Sequence, residues 1–207
     1  MCLRCRDEGC YQRRPPYQLS KEEERKLREM NLLGTSSAKS LLYTVYFYNG
    51  KIFGLRGGYH GNIVLNNFEL GSIFINFQEN SRETFHGGIS DLKYIRRTVN
   101  HICHKEGIKH EPCLVEIYRL YIGLLEVFAK NGQAFYYKAS KAKFGFEKVS
   151  VCINTLGIAR AGVKRKTAHC LRVTCASSLS NAGVEEKLIR ERTGHRSNPL
   201  LKYEKPS

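Results

Sequence analysis

Several familiar signatures are missing from this chain, and each absence narrows what it can be. No stretch approaches the roughly 18 consecutive apolar residues that a membrane-spanning helix needs. The first ten residues are charged and lack the apolar centre of a secretory signal, so an intracellular protein with no membrane partner is expected. The glycine-rich Phe53-Gly-Leu-Arg-Gly-Gly58 is not followed by Gly-Lys-Ser/Thr, which excludes a P-loop for nucleotides. Acidic side chains are scarce, 19 Asp and Glu against 34 Lys and Arg, and the resulting charge of +15 points to a polyanionic partner. With 42% apolar residues in 207, the chain has enough to build a core, so disorder is not the expectation.

Eight cysteines are present. Without a secretory signal they are read as reduced thiols rather than a disulfide framework. Cys2, Cys5 and Cys10 hint at zinc, but a tetrahedral site needs a fourth ligand and none is near in sequence. They are assigned to a disordered leader over residues 1–19, which also holds Pro15-Pro16. His101, Cys103 and His104 are read as one face of a helical turn rather than as ligands.

Local signals then divide residues 20–207. Ser20 and Glu23 form a capping-box pattern opening a charged helix to about Asn31, with Gly34 as its stop. Ser36 or Ser37 caps a second helix, whose Leu41, Leu42, Val45, Tyr46 and Tyr48 are expected in the core rather than on a surface for stacking bases. The glycines around Arg56 suggest close backbone approach about one important side chain. Residues 62–77 alternate as a strand does, with Ile63, Leu65, Ile73, Ile75 and Phe77 on one side. A hairpin through Gly87-Gly88 would bring back a partner strand near residues 84–92, and residues 92–105 look irregular with a helical turn. A helix is expected from Leu114 to Lys130, and a short buried strand at Phe135-Tyr-Tyr137. Helices over 167–182 and 184–193 would end at Gly183 and Gly194, and Asn198-Pro199 would open a third carrying Tyr203.

The chemistry concentrates at the carboxyl end. His169 and Arg172 are three apart on a helix and share a face, whereas Leu171, Cys175 and Leu179 mark the side expected to pack. A guanidinium beside an imidazole suits a phosphate, because the fork meets two oxygens while the ring supplies a further donor or a proton. His195 and Arg196 follow a helix end, and Tyr203 comes soon after. This order, Arg56, then His169 and Arg172, then His195, then Tyr203, resembles the signature of the tyrosine recombinases. The stretches Phe47 to Gly58, Gly87-Gly88 and Lys166 to the end look like the recombinase-derived domain of crypton transposons, which has domesticated relatives in MYM-type zinc finger proteins and a glutamine-rich nuclear protein.

That resemblance, over roughly residues 20–207, implies a mainly α (α+β) catalytic domain: a helical bundle with a small antiparallel hairpin or sheet. It implies DNA breaking and rejoining on double-stranded DNA in the nucleus, in a homo-oligomer, with no metal or other cofactor. Tyr203 would be the nucleophile and Arg56 and Arg172 the phosphate clamp. His169 and His195 would bond the phosphate or manage the tyrosine proton. Lys164, Arg165, Lys166 and Arg196 are the candidate DNA contacts. The run Lys164-Arg-Lys166 fits a nuclear localisation signal as well and is too short to choose between the two. The sequence also departs from the family. Arg82 stands where the hairpin carries a general-acid lysine, and Lys93 is poorly offset as a substitute. No acidic residue follows Arg56, the stretch 149–161 is short, and only four residues follow Tyr203. These departures keep open a second reading, a domesticated DNA- or chromatin-binding module without strand exchange.

Overall fold

The computed structural model describes residues 18–79, 96–103, 113–128, 134–139, 146–148 and 168–194. The first helix, α1 (Lys21–Glu29), begins where Ser20 accepts the amide of Glu23 while the Glu23 carboxylate accepts that of Ser20. These reciprocal bonds satisfy two of the donors that every helix start leaves open. Ser37 and Ser40 make the same exchange at the head of α2 (Ala38–Lys51). Of the two serines offered by the sequence, Ser37 is the cap.

α2 runs through the middle of the molecule, packed by α3 (Leu114–Phe128), the strand β4 (Tyr137–Ala139) and α4 (Ala168–Asn181). Burial of Leu41, Leu42, Val45, Tyr46 and Phe47 follows from this position, as expected of the tyrosine-rich face. α2 and α4 approach so closely at Gly50 that a Cβ there would lie 2.6 Å from the Cβ of Leu171. The main core joins α2 and α3 to a ring cluster of Phe53, Phe68, Phe77, Tyr118 and Phe135, in which Phe68 stacks on Phe135 with centroids 4.4 Å apart. Several of its polar groups bond to one another. Tyr118 donates to Asn49 Oδ1 at 2.5 Å, Asn49 Nδ2 donates to the Tyr136 hydroxyl at 2.5 Å, and that hydroxyl meets His60 Nδ1 at 2.8 Å.

The sheet is three-stranded and antiparallel, in the order β1 (Phe68–Leu70), β2 (Phe74–Gln78), β3 (Thr98–Ile102). It corrects three expectations. Residues 62–77 are not one strand. A tight turn closed by Gly71 N–H to Phe74 C=O divides β1 from β2, Leu65 lies in a 3-10 turn, and Ile73 is exposed at that corner. Residues 98–102 are a strand and not irregular, because β2 supplies a long-range ladder partner that local periodicity does not reveal. His101 therefore belongs to β3 and Cys103 follows it, so they form no helix face; His104 lies outside the described residues. The expected partner strand near 84–92 and its Gly87-Gly88 turn also lie outside them. A second ladder pairs β4 with β5 (Phe146–Lys148).

α4 and α5 (Glu186–Thr193) form the closing pair, ending at Gly183 and Gly194 as the sequence suggests. The described residues are thus mainly helical, with a small three-stranded antiparallel sheet and a two-stranded ladder beside them. No helix among the described residues is long and apolar enough to cross a membrane.

Candidate functional site

The end of α5 exposes the last carbonyls of a helix, groups with no partner inside it and a partial negative charge. Here they are met by arginines from three distant segments. Arg97 Nη1 donates to the carbonyl of Arg192 at 2.5 Å, Arg172 Nε to that of Thr193 at 3.0 Å, and Arg56 Nη2 to that of Gly194 at 2.6 Å. Gly194 has φ +67°, the left-handed conformation that turns the chain out of the helix. The carbonyl held by Arg56 is the one joined through its peptide bond to His195.

Arg56 reaches this point because Gly54 lets its loop press against α5. With φ +61°, Gly54 sits where a Cβ would be 3.1 Å from Thr193 Cα. The close approach expected of these glycines is found at that residue. Past Arg56, Gly57 lies against Ala168, where a Cβ would be 3.3 Å from the Ala168 Cβ. That contact sets the Arg56 loop beside the first turn of α4, which carries His169.

α4 itself differs from the expected one-sided helix. The consecutive residues Cys170 to Ser177 are all buried, since α2 packs on one side and α5 on the other. Arg172 is only 5% exposed, so its charge sits in a dry setting. His169 remains exposed, and burial of part of the ring, then the charge of Arg172, hold its pKa below the ordinary value. It is therefore neutral at pH 7, able to accept one hydrogen bond and donate another. Cys175 lies near the same arginines, yet burial outweighs them and pushes its pKa up to about 11. It stays a thiol, donating to Ile52 C=O across 3.6 Å, and offers no nucleophile.

Of the residues expected to act, the structure therefore brings Arg56 and Arg172 together on neighbouring carbonyls, with His169 a turn away on α4. Arg82, His195, Arg196, Tyr203 and the basic run Lys164, Arg165 and Lys166 lie outside the described residues, as do Cys2, Cys5, Cys10 and the stretch 149–161. Among the described residues, no group of three or more His, Cys, Asp or Glu side chains could hold a metal ion.

Three residues of the site have no counterpart in the sequence reading. Arg97, just before β3, pairs with Glu79 at 3.1 Å and also donates to Phe53 C=O at 2.7 Å. Arg192 donates to the carbonyls of Ile52 at 3.2 Å and Asn100 at 3.3 Å. The only sequence signal for Arg97 and Glu79 is their place at the two inner ends of β2 and β3, which cannot be seen until β3 is known to be a strand.

No family model matches the chain, and no curated protein matches it by sequence. Solved structures do match its fold. The XerH site-specific recombinase bound to difH substrate, in a pre-cleavage complex, aligns with TM-score 0.62 at 15% identity, over 93% of this chain and 51% of that one. The Tn1549 transposon integrase in complex with transposon right end DNA aligns with TM-score 0.61 at 14% identity, over 94% and 63%. The XerA recombinase aligns with TM-score 0.57 at 21% identity, over 94% and 60%. The chain spans about half the length of the XerH structure and less than two thirds of the other two. The likeness establishes the fold, which is that of a tyrosine recombinase catalytic domain.

Proposed function

We propose that this chain is a DNA breaking-and-rejoining domain acting through a covalent 3′-phosphotyrosyl intermediate. One observation carries the reading: Arg56 and Arg172, far apart in sequence, converge on the carbonyls of Thr193 and Gly194 at the helix end that leads into His195. Two guanidiniums held side by side are suited to the non-bridging oxygens of a phosphodiester, where negative charge gathers during transfer. Neutral His169 beside them can donate to the same phosphate or relay a proton.

In this scheme the Tyr203 hydroxyl attacks phosphorus and loses its proton. The bond to the 5′ oxygen breaks, and that oxygen leaves as a hydroxyl once protonated. A second strand's 5′-hydroxyl then displaces the tyrosine, which recovers its proton. A phenol with a pKa near 10 needs both the cationic clamp and a proton acceptor at neutral pH. The net charge of +15 supports double-stranded DNA as the partner. Origin from a crypton-type element, a nuclear location and assembly of several copies on DNA belong to the same proposal.

A second reading rests on Arg82. An arginine keeps its proton throughout the neutral range and makes a poor general acid for the leaving oxygen, so the domain would bind DNA or chromatin without strand exchange. Incubation with nicked suicide duplexes separates the two. Strand transfer predicts a denaturant-resistant protein–DNA adduct that disappears in Tyr203→Phe. The binding module predicts no adduct on any substrate, and DNA affinity that Tyr203→Phe leaves unchanged.

A further inference from the structure

Arg97 ties several parts of the site together at once. Its guanidinium engages three separate segments: Glu79 at the end of β2, Phe53 in the loop that leads to Arg56, and Arg192 in the last turn of α5. It also lies over the Phe77 ring, 5.5 Å from the centroid, so it is fixed from a fourth direction. Its aliphatic stem passes the turn after α5, with Cδ 3.5 Å from where a Gly194 Cβ would be. Glu79 is only 5% exposed, so the ion pair is largely withdrawn from water. The Glu79 amide donates to the Arg97 carbonyl at 2.9 Å, carrying the β2–β3 pairing to the edge of the described residues. The chain that carries Arg82 therefore leaves and returns at this residue pair.

We infer that Arg97, braced by Glu79, is a positioning residue that holds the Arg56 loop, the turn before His195 and the base of the Arg82 segment in one register. The inference rests on the phosphate-handling reading above. Arg97 contributes geometry: its planar fork spans a carboxylate and two carbonyls at once. A lysine would keep the charge and the pairing with Glu79, but its single ammonium cannot span all three. Displacement of a clamp by even about 1 Å is enough to slow a reaction strongly while leaving overall binding intact.

The test compares wild type, Arg97→Lys and Glu79→Gln by thermal unfolding, DNA affinity and adduct rate at saturating nicked duplex. It adds arginine side-chain NMR of Arg172 Nε–H with and without orthovanadate as a phosphate mimic. Arg97→Lys is expected to fold and to bind DNA within about threefold of wild type. Its adduct rate should drop by about tenfold to a hundredfold, with weaker vanadate response and faster Nε–H exchange at Arg172. Glu79→Gln should shift the same readouts in the same direction by less, and it decides the matter where Arg97→Lys does not fold. Wild-type adduct rate, vanadate response and Nε–H protection in the variant that folds would overturn the inference. Where wild type itself forms no adduct, the strand-transfer reading fails, and the NMR readouts alone decide for or against Arg97.

Discussion

At the scale of single residues, Arg56 and Arg172, the two arginines of the proposed clamp, are set differently although they meet neighbouring carbonyls. Arg172 is buried, so removing it would strip a dry carbonyl of its partner as well as the site of a charge. Arg56 is exposed and donates to Gly194 C=O, so on the proposed reading its loss would fall mainly on phosphate binding. His60 shows how a residue near Arg56 in sequence can serve the core instead. It is buried, its ring lies 4.3 Å from that of Tyr46, and desolvation lowers its pKa from 6.5 to about 4. The unfolded chain takes up this proton near pH 6.5, but the folded one only near pH 4. Between those values the unfolded state binds more protons, so stability present above pH 6.5 is lost as pH falls towards 4. The loss from this group should be about 3 kcal/mol. His60→Gln keeps a polar partner for Tyr136 without a titrating ring. Its urea midpoint should fall less than that of wild type between pH 7 and about pH 4, and equal falls would remove His60 as the cause.

At the scale of elements, the helix ends decide where the chemistry can sit. The open carbonyls of α5 attract cations, and the bend at Gly194 aims the chain onward from them. Gly54 sets the distance between that end and the Arg56 loop. Gly54→Ala introduces a left-handed alanine, costing about 1–2 kcal/mol, and presses a methyl onto the Thr193 backbone. A loss of about 2–3 kcal/mol is expected by chemical denaturation. Gly58→Ala is the control, since φ is not positive there and nothing lies within 4 Å of the added carbon. It should stay within about 0.5 kcal/mol of wild type, and a similar cost at both positions would mean that close approach is not what Gly54 provides.

At the scale of the whole molecule, the charge of +15 is the property that acts before any specific contact forms. Neutralising about six phosphates would release enough counterions to cut DNA affinity on the order of a thousandfold between about 50 and 200 mM salt. Fluorescence anisotropy with a short labelled duplex measures this directly. An affinity insensitive to salt would rule out a DNA-backbone surface, whichever reading of catalysis holds.

Much of the architecture could be read locally. The Ser20 and Ser37 caps, the glycine stops at 183 and 194 and the apolar spacing of α2 and α3 are each written within a turn or two of chain, because capping and helical periodicity are short-range physics. Helical spacing put His169 and Arg172 on one face, and Arg56 was joined to them only by the family resemblance. That Arg56 and Arg172 meet neighbouring carbonyls came from the tertiary structure, and their roles belong to the proposal. Only the tertiary structure decided that Thr98 to Ile102 is a strand, that Arg172 is buried, and that Arg97, Glu79 and Arg192 belong to the site. Those outcomes depend on β2 lying beside β3 and on the end of α5 meeting the Arg56 loop. A carbonyl accepts whichever guanidinium the fold brings to it, and sequence spacing does not encode which one that will be.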